Sequence, residues 1–129
     1  MNNKVLIIDD DEDFIESTKV VLESKGYIIC SALNKTDGLK RIEKDSPDMI
    51  IMDVMMDKMC DGFDLTREIK SNDKYKDIPI LMLTAVEQKT GFKFSEAAGD
   101  DAWLPVDDFS TKPIKPEDLI AKVEKLLSK

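Results

Sequence analysis

Short apolar runs alternate with amphipathic segments along this chain, and this alternation is the feature that most constrains its fold. Four apolar runs predict buried strands, and a brief fifth strand follows them; these segments are Lys4–Ile8, 27–32, Met49–Asp53, 79–84 and Asp108–Thr111. Apolar residues at helical spacing predict helices over 12–25 and 35–45, then one through Leu65 and Ile69, and a last one that begins at Pro116.

Strands that alternate with helices predict an α/β fold with helices on both faces of a parallel sheet. Short loops and right-handed crossovers leave few topologies for such a chain. We therefore expect a flavodoxin-like, doubly wound, five-stranded parallel sheet with the strand order 2-1-3-4-5.

The domain organisation follows from the absence of any linker, internal repeat or low-complexity tract in the 129 residues. The sequence therefore predicts a single domain over residues 1–129. The segment 86–106 is the least regular part, because Gly91, Gly99 and Pro105 interrupt it, and we expect a short helix near 94–98.

Charge and composition exclude several classes of function. The formal net charge is -8, from 27 acidic and 19 basic residues, and no basic stripe is present, so we expect neither nucleic acid nor a membrane surface as a partner. The chain has no histidine, and Cys30 and Cys60 form no zinc motif. Two isolated thiols, no recognisable leader and no apolar run of membrane-spanning length predict a cytoplasmic protein.

Carboxylates mark the ends of two predicted strands. Asp9 and Asp10 follow the first strand, and Asp53 ends the third. Ligand sites in open parallel sheets lie outside the carboxyl ends of the strands, where the strand order reverses, so these three side chains should meet in one crevice. Three close carboxylates need compensating charge, and an oxygen-only set favours Mg²⁺, with Mn²⁺ or Ca²⁺ as alternatives.

The fourth and fifth strands bring a hydroxyl and an ammonium group to the same edge. Thr84 ends the fourth strand and Lys112 follows the fifth. Both groups suit phosphoryl oxygens, Lys112 as a point charge and Thr84 as a hydrogen-bond donor. A carboxylate nucleophile, a metal and a cation together predict a phosphoryl-transfer site.

Four segments at these strand ends resemble the receiver domains of two-component response regulators, and the likeness covers nearly the whole chain. The segments are Ile8-Asp9-Asp10, Met52-Asp53-Val54-Met55-Met56, Leu83-Thr84-Ala85 and Thr111-Lys112-Pro113. The resemblance implies that Asp53 is the phosphoacceptor and that Asp10 binds Mg²⁺ directly. It also implies that Asp9 acts directly or through water, and that Met55 offers its backbone carbonyl to the metal.

The same resemblance implies a switch. Thr84 would bond a phosphoryl oxygen, Lys112 would contact the phosphoryl group or the acceptor carboxylate, and Phe109 would be the switch aromatic. The partners implied are a sensor histidine kinase or phosphotransfer protein and a downstream protein target. The domain would act as a monomer or a phosphorylation-dependent dimer, and it would not turn over an external substrate.

Two segments depart from the family pattern. The loop 57–62 is one residue longer than the usual loop and has no proline. The segment 86–106 is longer than the family's fourth helix region, and Phe92, Phe94 and Trp103 replace a regular amphipathic pattern there. We therefore expect an atypical fourth-helix region and a rebuilt output face.

Other functions stay open at this point. A phosphorylation-independent interaction module that retained the pocket is the main alternative, and a small hydrolase with Asp53 as a transient nucleophile is a third class. Each motif also has an ordinary explanation, since Asp53 could cap a loop, Lys112 could be a surface lysine and Phe109 could be simple core.

Overall fold

The computed structural model describes residues 3–53, 61–84, 108–111 and 114–128, with residues 61–63, Thr84, Phe109 and Thr111 described through their backbone. The strands are β1 (Lys4–Ile8), β2 (Ile28–Ala32), β3 (Met49–Asp53), β4 (Ile80–Thr84) and β5 (Asp108–Thr111). The helices are α1 (Glu12–Glu23), α2 (Lys35–Asp45), α3 (Asp61–Lys70) and α4 (Pro116–Leu127). The segment 86–106, with its expected helix near 94–98, lies outside these residues, as does most of the lengthened loop.

The strands form one sheet in the order β2-β1-β3-β4-β5, and every neighbouring pair is parallel. The predicted fold class and strand order are therefore confirmed. In the register of the central strands, Ile8 pairs with Met52, and Asp53 pairs with Leu83. The residues that follow β1 and the residue that ends β3 consequently lie side by side at one edge.

The sheet is buried on both faces, which explains why its central strands read as nearly continuous apolar runs. Alternate residues of β1 enter opposite cores, with Leu6 and Ile8 in one and Val5 and Ile7 in the other. The first core also holds residues of α2 and α3, and the second holds residues of α1 and α4. Each fully buried side chain of this size contributes about 1.5–3 kcal/mol of hydrophobic stabilisation, so the two cores hold the strand ends in place.

Helix α1 is two residues shorter than the predicted 12–25. It ends at Glu23, and Gly26 adopts φ 91°, a left-handed conformation that glycine reaches without the steric cost of a side chain. The turn formed at this glycine delays the next strand to Ile28, one residue later than predicted. Helix α2 has its predicted bounds, and Ser46, with φ 48°, ends it before Pro47.

Helix α2 approaches β1 closely at Gly38. A Cβ atom built on Gly38 would lie 2.8 Å from Cδ1 of Ile8, which is fully buried. A larger residue at position 38 would therefore require Ile8 or the helix to shift.

Helix α4 carries Pro116 at its start, and Lys115 gives it no side-chain cap, as the sequence predicts. Leu119, Val123 and Leu126 are its buried residues. Across the part of the chain that the structure describes, no helix combines the length and apolarity needed to cross a bilayer.

Candidate functional site

Three carboxylates converge at the carboxyl edge of the sheet, where β1 and β3 lie side by side. One oxygen from each of Asp9, Asp10 and Asp53 lies within 4.8 Å of the others. Asp9 is 1% exposed and Asp53 is 8% exposed, whereas Asp10 is exposed. The cluster therefore has two buried carboxylates at its base and one at the solvent.

Hydrogen bonds fix the orientation of Asp9. Its backbone N–H donates to the carbonyl of Ala32 at 3.1 Å, which joins the end of β1 to the end of β2. Its Oδ1 accepts a hydrogen bond from the N–H of Asp11 at 2.9 Å. The carboxylate is consequently held at the crevice by the backbone on either side of it.

Asp11 is a supporting residue that the sequence analysis missed. It caps α1, because its Oδ1 accepts from the N–H groups of Asp13 at 3.0 Å and Phe14 at 3.2 Å. The cap fixes the start of α1 directly beside the cluster, where the positive end of the helix dipole favours negative charge. The signal was present in the sequence, since an aspartate before an acidic first turn is a preferred N-cap.

A side-chain contact with α3 anchors the end of β3. Met52, the residue before Asp53, is fully buried, and its Sδ accepts a hydrogen bond from Oγ1 of Thr66 at 3.4 Å. Thr66 is itself fully buried on α3. This contact links the strand end that carries Asp53 to α3, which packs in the same core as Met52.

The carboxylate cluster fits a small divalent cation. Mg²⁺ binds oxygen at about 2.0–2.1 Å, so ligand oxygens on opposite sides of the ion lie about 4.2 Å apart. Ligand oxygens at adjacent octahedral positions lie about 3 Å apart, so the oxygens of Asp9, Asp10 and Asp53, which lie within 4.8 Å of one another, would move closer together on binding the ion. Carboxylate oxygen is also the donor type that hard cations prefer.

The remaining predicted site residues are placed only in part. Thr84 is the residue after Leu83, which pairs with Asp53, so its backbone lies at the same edge of the sheet. Phe109 pairs with Met82 through the backbone of β5. Met55 and Lys112 lie outside the described residues, so their proximity to the cluster stays a prediction.

Comparison with known proteins supports the same interpretation. Residues 5–124 match the family described as the response regulator receiver domain. The transcriptional regulatory protein PhoP of Bacillus subtilis, named for alkaline phosphatase synthesis, is 34% identical over 127 residues. That alignment covers 98% of this chain and 49% of PhoP. The DNA-binding transcriptional regulator RpaA of Synechocystis is 34% identical, over 96% of this chain and 48% of its own.

Solved structures show the same fold over nearly the full chain. A CheY-like receiver domain protein from Methanospirillum hungatei superposes with a TM-score of 0.84 at 25% identity, covering 99% of this chain and 95% of that one. The chemotaxis response regulator CheY4 of Vibrio cholerae gives a TM-score of 0.80 at 27% identity, covering 98% of this chain and 99% of that one.

An open parallel sheet with acidic residues gathered at its switch point, the place where the strand order reverses, is the architecture of a signalling receiver. The chain belongs to the receiver domain family of two-component response regulators. It spans about half the length of the curated relatives it matches.

Proposed function

We propose that Asp53 accepts a phosphoryl group from a phosphohistidine of a sensor histidine kinase or a phosphotransfer protein. The observation that carries this proposal is the convergence of the Asp9, Asp10 and Asp53 carboxylates within 4.8 Å at the switch point of the sheet. The family membership supports it, because the cluster occupies the strand ends at which the resemblance places the phosphoacceptor and its acidic neighbours.

Asp9, Asp10, Asp53 and the backbone carbonyl of Met55 are the proposed ligands of Mg²⁺, with Mn²⁺ or Ca²⁺ as alternatives. The bound ion supplies neutralising charge for the oxygens of the phosphoryl group. The protein's own part is to hold the carboxylates in a fixed orientation, and the hydrogen bonds of Asp9 do so for one of the two buried carboxylates.

In the proposed transfer, an Asp53 carboxylate oxygen forms a bond to phosphorus as the phosphorus–nitrogen bond of the donor breaks. The electron pair of the broken bond stays on the imidazole nitrogen. Water later attacks the same phosphorus, the bond to Asp53 breaks, and inorganic phosphate leaves while the carboxylate is restored. The domain thus catalyses its own modification and reset without turning over an external substrate.

The switch in this proposal involves Thr84, Lys112 and Phe109. Lys112 would neutralise charge on the phosphoryl group, and Thr84 would donate a hydrogen bond to one of its oxygens. Phe109, on the strand next to β4, would then change position and alter the surface that a downstream protein binds. Dimerisation on phosphorylation is one form that this change in binding could take.

The test is incubation with Mg²⁺ and a small acyl phosphate, followed by intact-mass measurement. Wild type is expected to gain one phosphoryl group, and Asp53→Asn is expected to gain none. Asp13→Asn is the matched control, because Asp13 is an exposed acidic residue in the first turn of α1, outside the cluster. Equal labelling of all three proteins would remove Asp53 from the role of acceptor.

The same assay separates the other functions. No labelling under conditions that preserve partner binding would favour a phosphorylation-independent interaction module. Continuous release of phosphate from a phosphate ester would favour a hydrolase. We further propose a single receiver domain over residues 1–129. We propose that it is located in the cytoplasm and makes no direct contact with nucleic acid.

A further inference from the structure

Strand β2 is an edge of the sheet, and part of its backbone points away from β1. The N–H of Ile28 donates to the carbonyl of Asn3 at 2.9 Å, and the carbonyl of Ala32 accepts from Asp9 at 3.1 Å. Because backbone groups alternate in direction along a strand, the N–H and C=O groups of Ile29 and Ser31 face outward. Within the described ranges, no backbone hydrogen bond reaches these outward groups.

A groove of about 640 Å³ runs beside the carboxyl half of this edge. Helix α1 contributes Glu12 and Glu16 to one wall. Helix α2 contributes the other wall, which carries a net positive charge from Asp37, Lys40, Arg41 and Lys44. Leu33, which follows β2 and lines the groove, is 41% exposed and gives the groove an apolar surface.

The two walls carry opposite charges that do not neutralise each other. Among the described residues, Glu12, Glu16, Lys40 and Lys44 form no ion pair, whereas their neighbour Arg41 pairs with Asp45 within α2 at 3.3 Å. The acidic wall and the basic wall could therefore both interact with the charged side chains of a molecule bound in the groove.

We propose that the edge of β2 binds an extended peptide segment as an additional strand, with alternating basic and acidic side chains. Main-chain hydrogen bonds to Ile29 and Ser31 would supply affinity, and the two charged walls would supply specificity. Side chains of a strand point alternately to the two faces of the sheet. Every second side chain of the peptide therefore meets the acidic wall of α1, and those between meet the basic wall of α2.

The assignment of walls to faces follows from the two cores. Ile29 packs with the residues of α1 and α4, and Cys30 packs with the residues of α2 and α3. An added strand would continue this alternation, with Lys or Arg on the α1 face and Asp or Glu on the α2 face. Binding of this peptide segment would not depend on phosphorylation at Asp53.

The opposing explanation is that these charges only protect an exposed edge from pairing, a common use of charged residues beside edge strands. The two explanations predict opposite results with a designed probe. We would titrate the wild-type protein with a fluorescent eight-residue peptide of alternating Lys and Glu. The matched control is a peptide of four Lys followed by four Glu, which has the same composition but cannot sort its charges by face.

We expect the alternating peptide to bind at least tenfold more tightly than the block peptide, with hydrogen-exchange protection at the amides of Ile29 and Ser31. Lys40→Glu with Lys44→Glu should abolish this preference. Adding Glu12→Lys and Glu16→Lys should restore it, because the peptide can then bind with its faces exchanged. Equal binding of the two peptides, or binding of neither, would overturn the proposal.

Backbone N-methylation tests strand addition itself. The N–H groups of the Lys residues point to one edge of the peptide, and those of the Glu residues point to the other. Methylation of one set, and only one, should abolish binding, and the sensitive set reveals whether the added strand is parallel or antiparallel. Loss with both sets or with neither contradicts strand addition, as would sedimentation showing that the β2 edge instead pairs with a second copy of this chain.

Discussion

Charged groups have different surroundings at the two ends of the sheet. At the amino end, Oδ2 of Asp48 accepts from the N–H of Lys4 at 2.7 Å, and Lys4 Nζ donates to the carbonyl of Asp45 at 2.9 Å. Lys70 Nζ likewise donates to the carbonyl of Ile78 at 2.8 Å, just before β4. At the carboxyl end, Asp9, Asp10 and Asp53 are gathered within 4.8 Å of one another.

The comparison separates charged groups that contact groups of opposite polarity from charged groups that lie beside like charges. At the amino end, charged groups meet groups of opposite polarity, and each such hydrogen bond lowers the free energy of the folded state. At the carboxyl end, like charges approach one another, and their repulsion offsets part of the stabilisation that their other contacts provide. The difference predicts which substitutions weaken the protein and which weaken only its ligand binding.

The largest expected effect is stabilisation by the cation. At a Mg²⁺ concentration one hundred times the dissociation constant, the free energy of unfolding should rise by about 2.7 kcal/mol. Asp53→Asn should remove most of this increase, and Asp48→Ala, at the other end of the sheet, should preserve it. Denaturant unfolding with and without Mg²⁺ measures the change, and an unaltered increase in Asp53→Asn would contradict the proposed ligand set.

Cys30 gives the next largest effect, because it lies near the amino-end charges. Burial, with a further contribution from Asp45, raises the pKa of the Cys30 thiol from 9.0 to about 11. In a Cys60→Ser background, alkylation of Cys30 at pH 8 should be at least about tenfold slower in the folded than in the unfolded protein. The folded-state rate should keep rising above pH 9, whereas the unfolded-state rate levels off.

The same pKa shift has a consequence for stability. The folded protein holds the thiol proton more tightly than the unfolded chain does. The contribution of the protonated Cys30 to the free energy of unfolding is therefore fully present below pH 9. It is lost as the pH rises from 9.0 toward about 11. A Cys30→Ser variant should lack this part of the alkaline decline in the free energy of unfolding.

Paired substitutions test the comparison directly. Asp48→Ala should lower the free energy of unfolding by about 1 kcal/mol, because the N–H of Lys4 loses its acceptor. Asp53→Asn, measured without divalent cations, should lower it by less than Asp48→Ala does, because the loss of a like charge from the cluster offsets part of what the other interactions of Asp53 contribute. If both variants were destabilised equally, the two ends of the sheet would not differ as described.

The smallest expected effect concerns the support under Asp53. Thr66→Val keeps the shape of the side chain but removes the hydroxyl that donates to Met52, and should cost about 0.5–1 kcal/mol. The phosphorylation rate of Asp53 should fall more than this stability change explains, if the contact positions the end of β3. Thr66→Ser, which keeps the hydroxyl, is the control and should retain the rate.

The sequence predicts the strand order and the acidic cluster because both follow from periodicity and strand ends. The apolar runs that end at Asp9 and Asp53 place these carboxylates once the sheet is parallel. Helix α1 ends two residues before the predicted bound at 25, because the turn that leads to Gly26 begins at Ser24. The grooved edge of β2 could not be predicted, since Glu16 and Lys44 belong to different helices and only the fold brings them to one groove.

The contact between Gly38 and Ile8 has a consequence for how this protein can change. A methyl group added at Gly38 would lie 2.8 Å from Cδ1 of Ile8, so it fits only if the side chain at position 8 moves or becomes smaller. Gly38→Ala alone should therefore be poorly tolerated, and Ile8→Val should compensate for it. Since Ile8 directly precedes Asp9, we expect relatives of this chain to exchange a methyl group between the two positions together, in one coupled step.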